Sequence, residues 1–119
     1  MYIEGFVVPV PAANKEAYRK FAADTWPLFK EFGALRLVEA WGDNVPEGKL
    51  TDFYRSVAAE PGEVPVFAWL VWPSRAVRDS AQERMRTDAR MQPPTDAPFN
   101  MQRMIFGAFE VLVDEGEKV

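Results

Sequence analysis

The sequence predicts an α+β fold, a four-stranded sheet with two helices on one face and a second copy of the chain against the other. Two observations carry this. Four segments read as strands, Tyr2 to Val10, Ala34 to Trp41, Val66 to Trp72 and Met104 to Val113, while only two read as amphipathic helices. In the third strand Val66, Ala68, Leu70 and Trp72 alternate with Phe67, Trp69 and Val71. Both series are apolar, and a strand with no polar face is one buried on both sides. Two helices cover one face of such a sheet, so the other needs a partner.

Taken in order, Pro9, Pro11 and Ala12-Ala13 end the first strand, and Asn14 is placed to cap a helix beginning at Lys15. Tyr18, Phe21, Ala22, Thr25, Trp26, Phe29 and Phe32 recur at helical spacing, and Gly33 stands where a left-handed cap is expected. Pro27 predicts a kink near Trp26, because its ring clashes with the carbonyl four residues back and it has no N–H. After the second strand and a Gly/Pro-rich loop, Thr51 to Val57 carries a period-two pattern that predicts a short extra strand or hairpin. Ser74 then caps a second helix with Val77, Ala81 and Met85 on one side and an Arg75–Asp79 pair on the other. Gln92 to Pro98 is a proline-rich connector into the last strand. The resulting order, two split βαβ units, is that of a ferredoxin-like βαββαβ domain.

The chain has 119 residues, which fits a single domain spanning 1–119 that removes roughly two-thirds of its unfolded surface from water. It contains no cysteine and no histidine. Those absences exclude disulfides, thiolate and imidazole catalysis, haem held by His or Cys, and the usual zinc sites. Any acid or base must therefore be a carboxylate, lysine, tyrosine or water. With a net charge of −4, nucleic acid is not an expected partner. The arginines between Arg75 and Arg90 are interleaved with Asp79, Glu83 and Asp88, as on a solvated, ion-paired helix face. No apolar run reaches the length of a bilayer span, and Met1 to Val8 shows no basic n-region or cleavage site. A cytoplasmic location, no membrane partner and no cofactor are the corresponding expectations.

The phrases Gly5-Phe6-Val7-Val8-Pro9-Val10-Pro11, Leu28-Phe29-Lys30-Glu31-Phe32-Gly33-Ala34-Leu35-Arg36, Val38-Glu39, Thr51-Asp52-Phe53, Pro73-Ser74 and Arg103-Met104-Ile105 are distinctive. They occur in order over nearly the whole chain, and together they resemble the YbaA-like family of bacterial proteins, a domain of unknown function. That family resembles the dimeric α/β-barrel superfamily, in which two ferredoxin-like sheets pack face to face across a homodimer. The resemblance implies a fold and an assembly and no particular chemistry. The chain departs from the family's pattern at Asn100-Met101-Gln102-Arg103.

Several residues are candidates for chemistry. Glu39, between Val38 and Ala40, and Glu110, between Phe109 and Val111, are carboxylates within apolar strands. Such a group has a raised pKa and serves as acid or base, or is paired to an arginine such as Arg36 or Arg103. Glu39 is the candidate catalytic residue, since it falls in a phrase shared with the family. By strand parity Trp41 shares a face with Leu35, Leu37 and Glu39, whereas Trp69 lies opposite Trp72. Trp41 and Trp69 are candidate ligand-binding aromatics, with core or interface packing as the alternative. Asp52, Phe99 and Arg103 complete the candidate binding set; Arg103 is suited either to an anionic group or to tying the connector to the sheet. Asp52 with Glu39 makes a poor metal site without imidazole, and none is expected.

Three functions follow. The first is a homodimer that binds a small hydrophobic or aromatic molecule between sheet and helices. The second is a cofactor-free oxygenase- or isomerase-like enzyme with Glu39 as base. The third is a structural or interaction module whose aromatics simply fill the interior.

Overall fold

The computed structural model describes residues 1–92 and 95–117. Strand β1 (Tyr2–Pro11) passes through a 3-10 turn at Ala12–Asn14 into helix α1 (Lys15–Glu31). Then come β2 (Arg36–Trp41), a one-turn helix α2 (Phe53–Ser56), β3 (Glu63–Trp72), α3 (Arg75–Thr87), a 3-10 turn at Ala89–Met91, and β4 (Ile105–Glu110). The four strands form one antiparallel sheet in the order β2-β3-β1-β4, a mixed α+β architecture as expected. Helix α1 links β1 to β2, which flank β3, and α3 links β3 to β4, which flank β1.

The register assigns the faces. Tyr2 pairs with Trp72, Phe6 with Ala68 and Val10 with Val64, so even-numbered residues of the two central strands share one side. Val8, Val10 and Val66 pack there with Tyr18 and Ala22 of α1. Leu70 and Trp72 pack with Phe32, Ala34 and Ala81 from the helix ends and α3. Burying each such large apolar side chain contributes about 1.5–3 kcal/mol. Trp72 is fully buried, and its indole N–H donates to Glu4 Oε1 at 2.8 Å, so the interior leaves no orphaned donor there.

The other side of the sheet is apolar and open. Phe67, Ile105 and Phe109 are 49%, 44% and 59% exposed, beside Ile3, Val38, Trp69 and Val71. Phe53 of α2 stacks edge-on against Phe67, which in turn packs against Trp69. The ring of Phe109 lies over Gly5 and Gly107, which face each other in the ladder. Gly107 therefore marks close packing rather than a bulge.

Pro9 and Pro65 oppose each other in the central ladder. Neither has an N–H, so they can only form a non-hydrogen-bonded pair, with both nitrogens directed away from the shared ladder. β4 pairs with β1 only up to Val7, and β2 with β3 only down to Val66, after which the N–H of Gly42 donates to Pro65 O at 3.0 Å.

Several local expectations change. Thr51 to Val57 is not a strand. Asp52 accepts from the N–H groups of Arg55 (2.8 Å) and Gly48 (3.0 Å), and this capping turns the segment into α2. Asn14 does not cap α1 with its side chain; its Nδ2 instead donates to the carbonyl of Pro98 at 3.2 Å, tying the connector to the start of the helix. Helix α1 runs through Pro27 without interruption to Glu31. It ends in a Schellman turn, with Gly33 N–H on Lys30 O and Ala34 N–H on Phe29 O, both at 3.0 Å. Ser74 caps α3 through Val77 N–H at 3.2 Å. Strand β4 ends at Glu110, three residues before the expected Val113, and β3 begins at Glu63, earlier than expected. Part of the predicted connector, residues 93 and 94, lies outside the described residues.

Candidate functional site

The site arises where the first helix passes over the edge strand β2. On β2, Leu37, Glu39 and Trp41 alternate toward α1, while Tyr18 and Ala22, one helical turn apart, form the buried inner face of that helix. A tyrosine ring buried among aliphatic groups carries a polar tip that needs a partner. Here it is Glu39: the Tyr18 hydroxyl donates to Glu39 Oε1 at 2.7 Å.

Both groups are electrostatically displaced. Burial raises the Glu39 carboxyl above its ordinary value, and the Tyr18 hydrogen bond offsets only part of that. Burial, reinforced by the neighbouring carboxylate, pushes the Tyr18 hydroxyl far up, so it remains a proton donor. The pair thus combines a fixed O–H donor with a carboxyl group suited to give or take a proton nearer neutrality than an exposed glutamate. Among the described residues only Oε1 of Glu39 is engaged; no arginine neutralises it.

Two cavities meet at this pair. The wider, of about 480 Å³, opens between α1 and β2 and is lined by Lys15, Arg19, Arg36, Trp26 and Trp41. The other, of about 310 Å³, lies deeper, beneath α1 toward β1, β4 and the connector, and is walled mainly by Phe6, Phe21, Phe29, Phe99, Met104 and Phe106. Tyr18, Ala22, Leu37 and Glu39 border both, so the hydrogen-bonded pair stands at the partition. Both volumes lie in the range of small-molecule sites. Phe99 stacks edge-on against Tyr18 and Phe21, with ring centroids 5.5 and 5.2 Å away, and seats the connector against the inner cavity. At the outer rim the Lys15 ammonium sits 5.5 Å from the centre of the Trp41 ring.

Of the residues singled out in the sequence, the fold therefore brings Glu39, Trp41 and Phe99 together. Trp69 is on the opposite sheet face, as its parity required. Asp52 is occupied in capping α2, away from Glu39, and hydrogen bonds from Arg55 and Gly48 hold its carboxyl low. Arg103 is engaged elsewhere: its two terminal nitrogens grip the carboxylate of Glu63 at 2.6 and 2.7 Å, and Nη1 also donates to Ala58 O at 2.9 Å. That fork ties the end of the connector to the start of β3. Glu110 is exposed on β4. Tyr18 and Lys15 were missed as site residues. The available signal was Tyr18 as the polar-tipped member of the α1 apolar stripe, with Lys15 one turn earlier. Among the described residues, no group of three or more acidic side chains gathers as a metal site would need.

The fold and site together define an α+β protein with a divided, largely apolar chamber and one carboxyl–hydroxyl pair at its waist. Residues 1–101 match the family described as "Protein of unknown function (DUF1428)", and the chain belongs to that family. It is 53% identical over 115 residues to "Uncharacterized protein YbaA" of Escherichia coli (strain K12), covering 96% of this chain and 98% of that protein. The same figures hold for the YbaA protein of Shigella flexneri. Among the described residues no helix is long and apolar enough to cross a membrane.

Proposed function

We propose that this chain is a small-molecule-binding protein that works as a homodimer, each protomer holding its ligand between sheet and helices. The observation that carries the reading is the Tyr18–Glu39 pair, a half-buried carboxyl with no cationic partner among the described residues, opening onto cavities on both sides. A carboxyl group retained in that position costs desolvation energy, and a bound polar group offsets that cost. The strand order supports a ferredoxin-like protomer. The open apolar face bearing Phe67, Trp69 and Phe109 supports a second copy packed sheet to sheet, forming a dimeric α/β barrel.

Native mass spectrometry of protein purified without added ligand, compared with the same sample denatured, tests this reading. A dimer that releases a small molecule on denaturation, and loses it in the Glu39→Gln, Phe99→Ala double variant, is the expected result. A ligand-free monomer that binds nothing in a metabolite screen would overturn it.

The raised carboxyl of Glu39 favours one further reading, an enzyme in which Glu39 takes a proton from the bound molecule while the Tyr18 hydroxyl stabilises the developing negative charge. Turnover of a bound compound that disappears in Glu39→Gln, with binding retained, distinguishes it from simple binding.

A further inference from the structure

The two cavities differ in chemistry, and the difference specifies a ligand. The inner one is walled chiefly by phenylalanine and methionine side chains, its own charged members Glu4 and Arg90 being engaged by Trp72 and by Glu31 and Asp88, whereas two cations of α1, Lys15 and Arg19, line the outer one against a single carboxylate, Glu39. Arg19 is paired with Glu16 at 3.0 Å on the exposed helix surface. Lys15 lies over Trp41, one helical turn from Tyr18. Between the two compartments, Glu39 accepts from Tyr18 through Oε1 and lines both cavities. An occupant that spans the partition meets, in succession, an apolar wall, a hydrogen-bond acceptor and a positive rim.

The geometry points to an amphipathic organic acid: an aromatic or other compact apolar body in the inner cavity, an N–H or O–H donated to Glu39, and a carboxylate at the rim beside Lys15. This rests on the binding reading above and narrows it to one ligand class. A cationic amine is the obvious rival for a carboxylate site, but it would have to pass and then lie beside Lys15 and Arg19 of the outer cavity. A purely apolar ligand would cover the Glu39 carboxyl without giving it a partner and would gain nothing from the Lys15 ammonium, which limits its affinity.

Indole-3-acetate carries all three parts at small size and serves as the probe, with 3-methylindole lacking the carboxylate and 1-naphthylacetate lacking the N–H. Binding is followed by calorimetry and by amide shifts at Tyr18, Glu39 and Trp41. The expected result is that indole-3-acetate binds at least about tenfold more tightly than either analogue. Lys15→Gln, a change at an exposed position, should then lower its affinity to that of 3-methylindole while leaving 3-methylindole unchanged. Equal binding of indole-3-acetate and 3-methylindole would overturn the anionic requirement, and equal binding of 1-naphthylacetate the donor requirement; either leaves the chamber as a binding site. No shifts at those three residues with any of the compounds would overturn this inference and the binding reading together.

Discussion

Tyr18 and Glu39, on different elements and 21 positions apart in sequence, meet at 2.7 Å across the gap between the first helix and the edge strand. Because the hydroxyl donates to the carboxylate, it favours the ionised form of Glu39 against the burial that disfavours it. Tyr18→Phe removes that opposition while keeping the ring. The Glu39 carboxyl should then titrate at still higher pH, as read from its side-chain carbon shift by NMR, and stability should fall by about 1 kcal/mol or less. An unchanged titration would show that the bond does not persist in solution.

Glu39 should also leave a mark on the pH dependence of stability. Its folded pKa lies above the unfolded one, so the unfolded chain releases this proton more readily. The contribution is favourable below the ordinary carboxylate range and is lost as pH rises through the folded pKa of Glu39. Glu39→Gln removes this loss and should raise stability at neutral pH by about 0.5–2 kcal/mol. Urea denaturation of both proteins across that range checks it; a variant less stable than wild type at neutral pH would contradict it.

The opposite sign holds at Glu63, whose carboxyl is held low chiefly by its hydrogen bonds to Arg103. That contribution is present at neutral pH and is lost as pH falls through the folded pKa. Arg103→Gln should lower the melting temperature near neutrality, and the difference from wild type should shrink in acid. A difference independent of pH would mean that the ion pair is not its source.

Gly33 has φ +111°, and a Cβ built there would come within 2.8 Å of Val77 Cγ1 on α3. Gly33→Ala therefore meets both backbone strain and a collision with a packed side chain, and should cost about 1–3 kcal/mol in chemical denaturation. Pairing it with Val77→Ala should recover the steric part and leave the backbone part.

Phe109 is 59% exposed on the open sheet face, so replacing it with glutamate costs the isolated protomer little. Phe109→Glu should convert a dimer to a folded monomer of about 13.5 kDa by light scattering. Wild-type protein that already runs at that mass, with a melting curve independent of concentration, would refute the sheet-to-sheet assembly.

The strands and long helices were legible because their periodicity is decided by burial, which sequence records directly. Phe67, Trp69 and Val71 announced a second apolar face, and parity put Trp69 opposite Trp72. The short segment around Asp52 was misread because one capping side chain outweighs a weak alternation over a few residues. Asn14 was expected at a cap and instead reaches Pro98, 84 positions away, a partner that local sequence does not reveal. The site was half legible for the same reason. Glu39 could be singled out as an acid in an apolar strand, but that Tyr18 would be its partner depends on how the helix lies across the sheet.

The opposed prolines also bear on what this sheet refuses. A strand that ran on past the ends of β2 and β4 with free N–H groups would invite an extra chain to continue the ladder. At Pro9 and Pro65 there is no such invitation: neither nitrogen carries a hydrogen, both residues are buried, and the Pro65 carbonyl is already taken by the N–H of Gly42 at 3.0 Å. The central pair therefore presents no backbone donor at either proline to a strand that would extend it there, and what the sheet leaves open is its apolar face, where Phe67 and Phe109 stand exposed.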